Sequence, residues 1–212
     1  MKKNIDNIIF DLGGVLLNID YTLTSKAFKR LGVKNFDALY SQAQQNNVFN
    51  DFETGKLSAK DFRTYIKEYI PKATDREIDD AWNSMLLDLP KKRLELLNNI
   101  KKKYRIFLLS NTNEIHVKYF TNYLNKMYGK GYFESLFEKH YYSNEIGLRK
   151  PNIEAFEYVC KQNDLEPSNT LFIDDSIQHI KGAKKAGLQT YFLDKEEVTS
   201  LFLDKVLLAH HL

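Results

Sequence analysis

At 212 residues the chain is too long for one minimal domain and short for two full ones, so a single core carrying an insertion is the expected organisation. Its 43% hydrophobic and 28% charged residues exclude a disordered composition. The 31 Lys and Arg against 28 Asp and Glu leave a net charge of +3, too even for a nucleic-acid binder, and no apolar run approaches the roughly 20 residues of a membrane span. The basic clusters Lys101 to Lys103 and Lys181, Lys184, Lys185 fall in amphipathic patterns and read as solvated helix faces. Met1 to Lys3 is followed by Asn4, Asp6 and Asn7, not by the apolar stretch of a signal peptide. The single cysteine, Cys160, cannot form an internal disulfide, which points to a reducing compartment and a cytoplasmic protein.

In chain order, NIIFDLGGV opens as a short apolar strand ending at Asp11 and a glycine pair. Helical patterns follow as far as about Leu89. Leu23, Ala27, Phe28 and Leu31 form one stripe stopped by Gly32; Phe36, Leu39, Tyr40 and Ala43 form a second. Ser58 precedes a third, Phe62, Tyr65, Ile66 and Tyr69, which Pro71 ends. Thr74 with Glu77 makes a capping box before Ile78, Ala81, Trp82 and Met85. Four helices without an intervening strand predict a helical unit, residues 18–88, inserted into a larger fold. Its hinges lie near Leu17 to Asp20 and Asp88 to Pro90. The polar stretch from Phe49 to Gly55, with Asp51 and Glu53, is either a connecting turn or part of a cleft lining.

From Pro90 the pattern alternates between helix and apolar strand: the Leu94, Leu97, Ile100 helix, RIFLL, the Ile115, Tyr119, Phe120 helix, a weakly patterned stretch with a strand near His140 to Ser143, the Ile153 to Cys160 helix, TLFI, the Ile177, Ile180, Ala183 helix, and TYFL. Continuous apolar strands between helices predict an α/β fold with a parallel sheet covered on both faces. Cys160 falls in an apolar helical register and is expected in the core. The five histidines show no zinc-type spacing with it.

Three of these strands end in polar residues at the same relative place. Phe10 gives way to Asp11, Leu109 to Ser110 and Asn111, and Ile173 to Asp174 and Asp175. In a parallel sheet all emerge at the carboxyl edge, where open α/β folds bind ligands. The helices that follow aim N–H groups and positive dipole ends at that edge, with Asn111 or Thr112 available as an N-cap, so the edge suits an anion. Converging carboxylates would repel one another unless a hard cation such as Mg²⁺ neutralised them. Taken singly, Asp174 and Asp175 are equally consistent with helix N-capping, and Lys150 before Pro151 with a solvated loop cation.

Asp11 in FDLGGV, Ser110 in LLSNT, Lys150 in RKPNIEAF and the pair in FIDDS, in that order, resemble the four motifs of the haloacid dehalogenase superfamily. The match runs from Asp11 to about Gly187 and includes IQHIKGAKKAG. The resemblance implies a Rossmann-like core, residues 1–17 and 89–212, with the 18–88 insertion as a four-helix cap of the family's first class. It implies that Asp11 is the nucleophile and that Ser110, with Asn111 and Lys150, contacts the substrate. Lys150 would also steady the nucleophile, and Asp174 and Asp175 would hold Mg²⁺ together with Asp11 and the carbonyl of Gly13. Phosphatases of this family usually carry a second aspartate, the general acid and base, where this chain has Gly13. The implied activity is Mg²⁺-dependent hydrolysis of a small phosphorylated metabolite through an aspartyl-phosphate. Lacking an acid at Gly13, the enzyme is expected to favour good leaving groups such as those of sugar 1-phosphates. A metal-free 2-haloacid dehalogenase and a catalytically weakened phosphate- or phosphoprotein-binding module are the alternatives.

Overall fold

The computed structural model describes residues 4–34, 36–40 and 47–194. Strands β1 (Asn7–Phe10), β2 (Arg105–Ser110), β3 (Lys139–Tyr142), β4 (Thr170–Asp174) and β5 (Gln189–Phe192) form one parallel sheet in the order β3-β2-β1-β4-β5. β1 is central and wholly buried, pairing Phe10 with Leu108 on one side and Ile173 on the other. Alternation of side chains across the strands sorts their residues onto two faces. Ile8, Phe10, Ile106, Leu108, Leu171 and Ile173 join one core cluster, with Leu94, Leu97 and Phe120 from α6 (Lys91–Ile100) and α7 (Glu114–Tyr128). Ile9, Phe107, Leu109 and Phe172 join the other, with Phe156, Val159 and Ile180 from α9 (Ile153–Gln162) and α10 (Ile177–Lys185). Cover on both faces explains why these strands read as unbroken apolar runs. Cys160 lies within the second cluster, and burial pushes its thiol up to about 11, so it is an inert packing group at neutral pH.

Between β1 and β2 the chain leaves the sheet and forms α1 (Tyr21–Leu31), α2 (Phe36–Leu39), α3 (Asn47–Glu53), α4 (Ala59–Lys67) and α5 (Asp75–Asn83). The expected second stripe extends to Ala43, which lies outside the described residues. The helical piece that the apolar pattern did not predict is α3. Its Phe49 and Phe52 are buried against Phe36, Phe62 and Trp82, while its polar residues mask them in the sequence. Phe52 and Phe62 stack at 4.3 Å, and Phe28 and Phe36 at 4.4 Å, so aromatic packing dominates this second core. The capping box at Thr74 and Glu77 is present.

The two connections to the sheet run side by side. Asn18 N–H donates to the Asp88 carbonyl and Leu87 N–H to the Asn18 carbonyl, both at 2.9 Å, and Ile19 bridges Leu86 in antiparallel fashion. Beyond α7 come β3 and a single helical turn, α8 (Ser143–Ile146), which ends the weakly patterned stretch.

Candidate active site

The parallel register brings the ends of β1, β2 and β4 to one edge. Asp11 follows β1 directly, its N–H donating to the Ile173 carbonyl at 3.0 Å, and the chain then turns sharply at Gly14, where φ is +76°. A β-carbon at Gly14 would collide with the Asp175 carboxylate, so both the left-handed backbone and the close approach require glycine there. Carboxylate oxygens of Asp11, Asp174 and Asp175 lie within 4.8 Å of one another.

Lys150 reaches this group from the loop before α9. Its side chain is fully buried, and Nζ donates to Asp11 Oδ1 and to Asp174 Oδ2, each at 2.7 Å. Burial alone would push a lysine down; the two carboxylates outweigh it and hold Lys150 above its ordinary value, so it is an ammonium ion. Burial likewise pushes Asp11 up, opposed by Lys150. For Asp174 burial is outweighed by Lys150 and His179, and its carboxyl stays below the usual range. Asp174 also accepts from the Ser176 N–H at 2.7 Å, and both its oxygens lie 3.0 Å from His179 Nδ1. His179 was not anticipated; a histidine five residues after an aspartate, at the start of a helix, was the available signal.

Ser110 is buried at the end of β2, its hydroxyl donating to the Asn111 carbonyl at a long 3.5 Å. The Asn111 side chain is engaged at both polar ends with the Lys150 backbone: Nδ2 donates to its carbonyl at 2.8 Å and Oδ1 accepts from its N–H at 2.9 Å. That amide holds the lysine in register. The helix N-cap expected at Asn111 or Thr112 falls instead on Asn113, because Thr112 is tied to the Ser143 hydroxyl through both its N–H and its carbonyl. Three carboxylates beside one buried ammonium, with a hydroxyl at the next strand end, can bind an anion through a cation and present a carboxylate to it.

Residues from the inserted segment complete the cavity over this edge. Tyr21, Tyr40, Glu53 and Met85 line it together with Arg149 and His179, whereas Asp51 is absent from the lining. The Asp51 carbonyl accepts the N–H groups of Lys56 and Leu57, which close the turn after α3. In the cavity wall a buried network that includes Asn113 and His116 joins α5 to α7. The His116 ring stacks on Trp82 at 4.9 Å, and its Nε2 lies 3.2 Å from the Trp82 carbonyl; a carbonyl only accepts, so Nε2 carries the proton. Asn113 Nδ2 then donates to Nδ1, while Asn113 Oδ1 accepts from Trp82 Nε1 and the His116 N–H.

Burial pushes His116 down to about 4, so it is neutral in the folded protein. The unfolded chain takes up this proton below about pH 6.5, the folded one only below about 4. The contribution to stability is therefore intact above pH 6.5 and lost as pH falls towards 4, by about 2–3 kcal/mol. Urea melts at pH 7 and pH 4.5 are expected to show a shallower acid loss for His116→Gln than for the parent. Parallel acid losses would remove His116 from this account.

Comparison with known proteins gives a consistent picture. A sequence profile described as haloacid dehalogenase-like hydrolase matches residues 5–187. A D-ribitol-5-phosphate phosphatase from Bacteroides thetaiotaomicron is 32% identical over 188 residues, 88% of this chain and 91% of its own. A sesquiterpene phosphatase from Aspergillus oryzae is 25% identical, covering 85% of each chain. A Bacteroides thetaiotaomicron enzyme of the same family, crystallised as an aspartate-to-alanine mutant with magnesium and inorganic phosphate, superposes with a TM-score of 0.85 at 36% identity, covering 91% of this chain and 95% of the other.

Proposed function

Because the chain belongs to the haloacid dehalogenase-like hydrolase family, we propose that it is a Mg²⁺-dependent phosphatase of small phosphate monoesters that works through a phosphorylated Asp11. The observation that carries this reading is the buried Lys150 ammonium held 2.7 Å from both Asp11 and Asp174, with Ser110 and Asp175 at the same sheet edge. Lys150 orients Asp11 and opposes the effect of burial, favouring its carboxylate form. A carboxylate oxygen of Asp11 attacks phosphorus as the bond to the alcohol oxygen breaks; water then attacks phosphorus, releasing phosphate and restoring the carboxylate. Ser110 and Lys150 donate to the phosphoryl oxygens as charge builds on them.

Asp11, Asp174 and Asp175 form a carboxylate set of the kind a hard divalent ion takes, and the Gly13 carbonyl would be a further oxygen ligand. When bound there, Mg²⁺ supplies neutralisation of the phosphate charge and of the three carboxylates. Gly13 has no proton to give. A β-carbon at this position would lie 3.2 Å from Ile19 Cδ1, so a larger residue there would require the Ile19 side chain to give by a few tenths of an ångström. The departing alkoxide takes its proton from water or from a group elsewhere in the cleft. We place the substrates among phosphate esters of polyhydroxylated alcohols of sugar or alditol size, including sugar 1-phosphates. The 32% identical relative is named for an alditol phosphate, D-ribitol 5-phosphate.

The test is phosphate release from an aryl phosphate and a panel of sugar and alditol phosphates, with Mg²⁺ and with chelator. Turnover should fall at least about 10²-fold on chelation, because electrostatic stabilisation of this kind contributes that much or more. Halide release from a 2-haloacid that ignores chelator would establish the dehalogenase instead. Phosphate binding without turnover of any ester would establish the binding module.

A further inference from the structure

Resting on the phosphatase reading, we propose that the Glu53–Arg149 pair selects the alcohol half of the substrate. It would recognise adjacent hydroxyl groups of a polyol and reject an apolar, prenyl-type alcohol.

The pair spans the cleft. Glu53 is the last residue of α3 in the inserted helices, while Arg149 precedes Lys150 on the sheet side, and both line the cavity that contains Asp11. Arg149 Nη2 lies 2.8 Å from Glu53 Oε2, and Nη1 donates to Asn50 Oδ1 at 2.7 Å. The guanidinium is thus held by two residues of α3. That helix is set at a fixed height by Gly55, whose φ is +69° and whose missing β-carbon leaves room for the Asn144 carbonyl of α8. Side-chain exposure is 10% for Glu53 and 20% for Arg149.

An ion pair this deep in a binding cavity is a poor source of stability, since desolvating both charges offsets most of their attraction. Its chemistry is better suited to recognition. Arg149 Nε is buried without a hydrogen-bond partner, and a carboxylate has about four acceptor sites. A hydroxyl group is both donor and acceptor, so neighbouring hydroxyls can give to Glu53 and receive from Arg149. Tyr21 lines the same cavity; burial foremost, then Tyr40 and the charges of Asp175, Asp11 and Glu53, hold its phenol well above the ordinary value, and it remains a hydroxyl donor. An apolar chain in the same space would strip water from both charges and replace none of its hydrogen bonds.

Calorimetric binding in the Asp11→Asn protein with Mg²⁺ tests this without turnover, using ribitol 5-phosphate, n-pentyl phosphate and farnesyl phosphate. Ribitol 5-phosphate should bind roughly 10²-fold more tightly than n-pentyl phosphate, because a site with buried polar groups discriminates strongly against a ligand that leaves them unpaired. Glu53→Gln and Arg149→Lys, each added to Asp11→Asn and each checked for an intact melting transition, should reduce that ratio at least tenfold. A ratio near one, tighter farnesyl binding, or a ratio unmoved in both variants would overturn the inference. If a variant does not fold, the ratio in the Asp11→Asn protein alone still decides. Selective binding with no phosphate release from ribitol 5-phosphate by the unmodified enzyme would support the subsite and sink only the phosphatase reading.

Discussion

Replacing Lys150 with methionine is expected to cost about 3–5 kcal/mol of stability, the usual consequence of removing one partner from a buried charge cluster. For a chain of this size that is a fall in melting temperature of about 6–20 °C. The reason is electrostatic more than steric, since methionine fills much of the same space beside Phe172, whose ring lies 5.2 Å from Nζ. Without the ammonium, the buried carboxylates of Asp11 and Asp174 face each other and Asp175 with only the His179 ring and the Ser176 N–H left against Asp174. Their folded-state pKa values would then rise above the unfolded value near 4. The penalty is absent at a pH low enough to protonate them in both states and appears as pH rises through that value. Millimolar Mg²⁺ should stabilise Lys150→Met more than it stabilises the parent, because a cation bound to the folded state supplies the missing charge. Differential scanning calorimetry at pH 4 and pH 7, with and without Mg²⁺, measures all of this. A variant that melts with the parent at pH 7 in chelator would show that Lys150 is not compensating the acidic cluster.

Asp11→Asn is expected to lower turnover by at least about 10⁴-fold, in line with nucleophile removal in other covalent mechanisms. The amide preserves the shape and an acceptor for Lys150, but it has neither the charge nor the basicity to attack phosphorus. Stability should not follow activity down. Burial holds the folded pKa of Asp11 above its unfolded value, so its ionised form weakens the fold once pH exceeds that unfolded value, and neutralising it removes the cost. The variant should therefore melt at or above the parent at pH 7 in chelator. Single-turnover phosphate release and a thermal melt on the same preparation decide the matter. Activity within tenfold of the parent would exclude Asp11 as the nucleophile, and a parallel fall in melting temperature would assign it a structural role.

Much of this molecule was legible in its sequence because short-range patterns carry short-range physics. The strands are unbroken apolar runs since both faces of the sheet are covered, and each stops at a polar residue where the chain leaves the core. Parallel pairing then places Asp11, Ser110 and Asp174 at one edge, whatever the details of the helices. The Thr74 capping box and the register of Cys160 are equally local. Other features depended on tertiary structure. Lys150 before a proline reads as a loop cation, and only the carboxylates from the ends of β1 and β4 account for its complete burial. In α3, two phenylalanines three residues apart within seven are too few to establish a helical period among Asn50, Asp51 and Glu53, and it is the aromatic neighbours of the other helices that fix it. The cap at Asn113 depends on Ser143 having taken Thr112, and the pairing of Glu53 with Arg149 joins residues from opposite halves of the chain. Periodicity and capping are set by interactions within a few residues along the chain, whereas burial of a charge is decided by which distant partners the fold brings within hydrogen-bonding reach.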